Sequence, residues 1–445
     1  MEIKVISREM IKPSKPTSPE NKIFNLCIFD ILNRNTYTPA ILFYPTFTNP
    51  NNSLKHSLSE TLTIFNPLAG RRKDLVSVAC NDEGALYYEA TVNTTISDFL
   101  SPPKLESLNQ LLPCEPFKIL PPGESPSLPH LMVQVNSFEC GGVAIGVCSL
   151  HTIMDANSSA VFLRMWSAIC RDQRGDTVPP DFDSAFTLFP PVDFSRLRGG
   201  IVTSSPKRIE ASCTIRRFVF NEEAMNNLRT LAKDEDDNNG ASKKPTRYQV
   251  LSSFIAKHMI LAYSTKGITS NLVLLLHIMD IRRRRGEPLT TNSMGNLLWP
   301  AVIPYEKEDT NNNNISINDF VKITRAKIES IDKDLFLRIE RDPDFLFSDE
   351  CGGMLMEGME KKKPISLVFS SWCNLGFNDL DFGWGKPLWV GFRGGTQETV
   401  SNSVVFIDTS IGLEAWISMP EEFLAVLEKD EDFLTYASIN PTVSC

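Results

Sequence analysis

Nowhere in the chain does an apolar run approach the ~20 residues that a membrane span needs, so no membrane partner is expected. The N-terminus, "MEIKVISREMIKPSKP", spaces its charges and has no apolar core of signal-peptide length. The C-terminus, "NPTVSC", ends in a lone cysteine without the aliphatic pattern of a prenylation box. Ten cysteines lie scattered with no C-x-x-C pair, which reads as reduced thiols in the cytosol. Basic charge is also short. The net charge of −9 excludes a general nucleic-acid binder, which needs a basic face. The P-loop spacing is missing, as is any short-period repeat. A soluble cytosolic protein remains.

What is present is ordinary globular material, with 42% hydrophobic and 22% charged residues. At 445 residues the chain is too long for one common core, and two domains are expected. Strand-like and helix-like segments alternate throughout. "YTPAILFYP" reads as a strand and "SLKHSLSETLTI" as a helix; "LVSVACNDEGALYYEATV" reads as two strands about an "NDEG" turn. Pro, Gly and Ser dominate from about 172 to 212, a long connection between halves. Strands, helices and polar loops then resume to a last helix at "PEEFLAVLEKDEDFLTYA".

One stretch, "GVAIGVCSLHTIMDANSSAVF", concentrates the chemistry. Val143, Ile145 and Val147 point one way and Ala144, Gly146 and Cys148 the other, a central strand whose small face lets a backbone or a substrate approach. The strand ends at His151, and Asp155 follows before the pattern turns helical. Ligand crevices open at such strand ends, and histidine is the side chain most easily poised to accept a proton near neutral pH. A satisfied core histidine is the commoner occurrence and stays open. A metal pair at i, i+4 is weaker, since no further His/Asp/Glu/Cys ligands lie at recognisable spacing. Cys148 sits in an apolar strand, where a thiol is inert.

A second patch, "SSWCNLGFNDLDFGWGKPLW", places Trp384 between Gly383 and Gly385, with Asp381 before them. Glycines there permit backbone conformations closed to other residues, and the indole reads as a structural latch.

"HTIMD" in the first half and "DFGWG" towards the end, in that order and separation, resemble the plant BAHD acyltransferases. "NPLAGR", "CNDEG", "FECGG" and "NSMGN" agree. The likeness spans essentially the whole chain and is strongest to vinorine synthase-like and acylsugar acyltransferase-like members. It implies an α/β, two-domain fold related to chloramphenicol acetyltransferase with a solvent channel between the domains. Residues 1–195 would carry the H-x-x-x-D motif, 196–215 would cross over, and 216–445 would carry D-F-G-W-G. The resemblance further implies acyl-CoA as co-substrate with no permanently bound cofactor and no metal. A small-molecule hydroxyl would be the acceptor, and the enzyme would act as a monomer.

By this resemblance His151 is the general base and Ser370, two residues before Trp372, the oxyanion donor. Asp155 pairs with an arginine of "DIRRRRGEPL", namely Arg282 with Arg284 as alternate, and the other arginines form a solvated face. Asp381, Gly383, Trp384 and Gly385 support the architecture. The chain departs from the family in having Ala156 after the aspartate, where glycine is usual; a required glycine conformation would force the loop to shift. The acceptor leans to a sugar ester, with a hydroxylated alkaloid as the alternative and a non-catalytic metabolite-binding relative as the remoter one.

Overall fold

The computed structural model describes residues 1–48, 53–120, 127–192, 210–232, 244–268, 270, 272–306, 316–348, 364–400 and 402–444. Of the expected crossover 196–215, residues 196–209 lie outside this description. Its last six residues are not connection at all, because they open the strand Glu210–Asn221.

Two sheets organise the chain. The first has six strands in the order Ile3–Ile11, Ala85–Val92, Leu131–Phe138, Val143–Leu150, Tyr37–Tyr44 and Trp389–Gly391. Val143–Leu150 is buried along its whole length between two antiparallel neighbours. Its small face serves a backbone, not a substrate: a Cβ added at Gly146 would lie 2.1 Å from the carbonyl oxygen of Leu111. The two strands expected about the "NDEG" turn both form but part company. Ser77–Ala79 joins a small sheet with Ile23–Asn25 and Arg71–Arg72, while Ala85–Val92 joins the large one.

The second sheet runs Leu298–Glu306, Leu272–Asp280, Ile365–Ser371, Ser403–Thr409, Gly412–Met419, Glu210–Asn221 and Thr396–Val400, with Ser438–Ile439 also paired to Glu210–Asn221. Its register decides which side chains look toward the first half. Residues directly opposite in a ladder share a face. Ser370 is opposite Val405, Val405 opposite Trp416, and Trp416 opposite Arg217. Trp416 is buried in the first half's core and Val405 packs on it, whereas Phe369, Val404 and Ile417 fill the second core with the helix Arg247–Thr265. Ser370 therefore faces the boundary between the halves.

The chain does not respect its own midpoint. Trp389–Gly391, from the second half, pairs antiparallel with Tyr37–Tyr44 and completes the first sheet. Trp372, Phe377, Phe382 and Phe392 join the same core.

Candidate active site

His151 leaves the strand in a turn, its own N–H donating to the Thr36 carbonyl at 2.8 Å. Its ring is held by Asn296, from the "NSMGN" segment of the second half. The Asn296 amide nitrogen donates to the His151 carbonyl at 2.6 Å and to Asp30 Oδ1 at 3.0 Å. Its amide oxygen therefore faces His151 Nδ1 at 2.9 Å. An amide oxygen only accepts, so Nδ1 carries the hydrogen and Nε2 keeps its lone pair. The tautomer is thus set by a neighbour, in the form that a general base needs.

Asp30 anchors this arrangement. It is fully buried, takes hydrogen bonds from the Asn296 N–H at 2.7 Å and the Cys27 N–H at 2.9 Å, and burial pushes its carboxyl pKa up. Gly295 makes the approach possible, since its φ of +119° lies where L side chains are strained. Neither Asp30 nor Asn296 was given a role from sequence. The available signals were a carboxylate inside the apolar run "LCIFDI" and an asparagine directly after a glycine.

Asp155 is the N-cap of the helix Ala156–Cys170, accepting from the Ser158 N–H at 2.8 Å. Its carboxylate meets Arg282 in a fork, Nη1 to Oδ2 at 2.8 Å and Nη2 to Oδ1 at 3.2 Å, with neither side chain exposed. The guanidinium donates further to the Ser293 and Gly295 carbonyls, the Ser158 hydroxyl and Asp280. Such saturation is what a buried ion pair needs to offset desolvation. Arg282 is thus the partner, and Arg284 binds the carbonyls of Ile328 and Ile331 instead. The expected solvated face shrinks to one residue: Arg285 is buried against Glu340, and Arg283 alone of the four is exposed. Ala156 is the first helical residue and is not among the positive-φ positions. No glycine conformation is required there, and the loop has no need to shift.

Ser370 lies half-buried near the end of its strand, on the face toward the first half. Two residues on, Trp372 lines a small cavity with Thr38, Ala40, Val147, Ser149 and Met154. The Thr38 hydroxyl is buried there and has no hydrogen-bond partner among the described residues. Cys148 is fully buried, and desolvation raises its thiol pKa well above the ordinary value, away from a nucleophile's range. Among the described residues no group of three or more His, Cys, Asp or Glu could hold a metal, and no helix is long and apolar enough to cross a membrane.

A family profile described as the Transferase family matches residues 1–434. Akuammiline synthase 2 from Alstonia scholaris is 35% identical over 100% of this chain and 98% of its own. Stemmadenine O-acetyltransferase from Catharanthus roseus is 33% identical over 96% and 97%. The chain belongs to the BAHD acyltransferases. Among solved structures, vinorine synthase superposes with a TM-score of 0.80 at 32% identity, covering 98% of this chain and 99% of that one. F. sporotrichioides TRI101, complexed with coenzyme A and T-2, shares the fold at a TM-score of 0.65 and 19% identity, covering 94% and 100%. This BAHD enzyme is an acyltransferase with the two-domain fold of the chloramphenicol acetyltransferase kind.

The D-F-G-W-G loop of this family member closes on itself. Asp381 Oδ1 accepts from the N–H groups of Gly383 at 2.7 Å and Gly385 at 2.9 Å, and both glycines have positive φ. Trp384 stacks on Phe382 at 5.7 Å and meets Tyr44 and Phe47 edge-on. The Tyr44 hydroxyl donates to the Leu380 carbonyl at 2.8 Å. The loop is therefore a clasp on the first sheet.

Proposed function

We propose that this acyltransferase moves an acetyl or similarly short acyl group from coenzyme A to a hydroxyl of a specialised metabolite of the alkaloid kind. One observation carries the chemistry: Asn296 leaves His151 Nε2 free to accept a proton, in a chain whose family transfers acyl groups. Acyl-CoA as the donor is supported by the family and by a coenzyme A complex of the same fold. The relative named for stemmadenine O-acetylation favours the alkaloid acceptor, and those named for limonoid O-acetylation speak against a sugar ester, which no named relative supports.

In this reading both substrates meet at His151, held in line by the two halves. Nε2 takes the proton of the acceptor hydroxyl as its oxygen attacks the thioester carbonyl. The resulting oxyanion is met by the Ser370 hydroxyl, and the C–S bond breaks as the proton passes to the CoA sulfur. Asp155 and Arg282 hold the turn, while Asp381, Gly383, Trp384 and Gly385 are architectural. The division into a domain of residues 1–195 and a second one that opens with the strand Glu210–Asn221 belongs to this proposal, as do a channel between the domains, a cytosolic location and a monomer. A positioned base contributes roughly 10²- to 10⁴-fold.

The deciding experiment follows thiol release from acetyl-CoA, with mass detection of product, against hydroxylated alkaloids including stemmadenine and, separately, sucrose esters. Acetylation of an alkaloid is expected. Acetylation confined to sucrose esters would overturn the acceptor, and thiol release without any acceptor would make the protein a hydrolase.

A further inference from the structure

Five described arginines are more than nine-tenths buried: Arg71, Arg217, Arg282, Arg285 and Arg393. Four of them meet a carboxylate: Arg71 meets Glu83, Arg217 meets Glu414, Arg282 meets Asp155, and Arg285 meets Glu340. Arg393 does not, among the described residues. It is 2% exposed. Its Nη2 donates to the Ser418 hydroxyl at 2.7 Å, and its Nη1 is buried with no hydrogen-bond partner among the described residues. The Cys213 thiol acts on its charge, but burial pushes that thiol up to about 11, so it is neutral. Burial without a counter-charge pulls the guanidinium itself down to about 10. It still carries its charge at neutral pH.

An unmatched buried cation costs several kcal/mol in a folded chain, and a fold that keeps one has a use for it. The position shows which. Ser418 is opposite Ser403 and Ser403 opposite Val368, so these share a face with Ser370, two residues along. That face looks toward the first half. Two strand spacings and two residues separate Ser418 from Ser370, a distance on the order of 12 Å. The preceding residue, Phe392, packs edge-on against Trp372 at 5.1 Å, and Trp372 lines the cavity beside Ser149 and Thr38. A guanidinium only donates hydrogen bonds, so its complement is an oxygen.

We propose that Arg393 is a specificity residue whose free Nη1–H donates to a carbonyl or carboxylate oxygen that a bound substrate carries into the boundary between the halves. Two sources offer that oxygen: a carbonyl or carboxylate group on the acceptor, or a pantetheine amide of coenzyme A. The inference rests on the transferase reading above, because it takes that boundary as the place where substrates bind.

The test replaces Arg393 with methionine, which keeps length and removes charge, and with lysine, which keeps charge and removes the fork. The first readout needs no substrate. Without its uncompensated charge the ligand-free R393M protein is expected to melt higher than wild type by about 2 °C; an equal or lower melting temperature would mean that Arg393 is a structural tie to Ser418 and would overturn the proposal. Calorimetric titration with coenzyme A and kcat/KM for the acetylated alcohol then identify the source. A tenfold or greater loss in coenzyme A affinity marks the pantetheine amide. The same loss in kcat/KM, with coenzyme A affinity within twofold, marks the acceptor. A melting gain with neither loss, or full recovery in R393K, also overturns it. Wild-type silence toward every alcohol would defeat the transferase reading, yet leave the melting and coenzyme A readouts intact.

Discussion

Arg282 and Arg217 reach the same boundary from the same half, and each meets a carboxylate with no exposure, Asp155 in one case and Glu414 in the other. Both carboxylates are saturated. Asp155 caps a helix while forked by Arg282. Glu414 takes Arg217 at 2.6 Å and the indole N–H groups of Trp389 at 3.0 Å and Trp416 at 2.9 Å. The energetics are alike; the covalent context is not. Asp155 lies four residues from His151 in one turn, and Gly295, whose carbonyl Arg282 binds, directly precedes Asn296. The Asp155 pair therefore fixes His151 and its tautomer together. Glu414 joins the strand Trp389–Gly391 to the second sheet, fastening the D-F-G-W-G clasp without touching the turn that carries His151. A buried ion pair says little about function until one asks which backbone it immobilises.

The comparison presupposes that His151 is the centre on which the first pair acts. His151→Ala is expected to lower kcat by about 10²- to 10⁴-fold, with a melting temperature close to wild type, because the ring is half-buried and holds one side-chain bond. Activity within threefold of wild type in a folded H151A protein would remove the base, and with it any special standing for Asp155.

The pairs themselves are separated by Arg282→Met and Arg217→Met. Each leaves a buried carboxylate without its cation and is expected to destabilise by about 3–5 kcal/mol, read from urea unfolding. They should differ in rate. Assayed well below both transitions and normalised to folded protein, R282M is expected to lose at least about tenfold in kcat, since a shifted turn misplaces Nε2. R217M should keep kcat within about twofold. Equal losses in kcat would show that the two pairs act on a single rigid unit and that proximity to His151 is immaterial.

How far the sequence foretold this depends on the length of chain over which each feature is written. The strand Val143–Leu150 and the helix Ala156–Cys170 follow from periodicity within a dozen residues, and both form as read. The Asp155–Arg282 pair spans 127 residues and was reachable only through family likeness; no local pattern separates Arg282 from Arg284 or Arg285. Asn296 and Asp30 escaped because their meaning is entirely tertiary: an asparagine and a carboxylate, 266 residues apart, acquire a role only when the halves close. The same holds for Trp389–Gly391. Its composition announces a strand, but nothing in it says that the strand belongs to the opposite sheet.

The subtlest effect concerns Ala156, where the family usually has glycine. Because Ala156 opens the helix capped by Asp155, the Asp155–Arg282 pair rather than a glycine turn holds the backbone there. Ala156→Gly should then loosen the first helical turn and nothing else. The expected cost is at most about 1 kcal/mol, the glycine-for-alanine difference in a helix, with kcat unchanged. The measurement is a urea unfolding curve beside a steady-state rate. If A156G instead raised kcat severalfold, alanine would be restraining the turn that carries His151, and the ion pair would not be what sets its geometry. If kcat stays level while stability falls slightly, position 156 is only a helix start, and control of the base lies with Asp155 and Arg282.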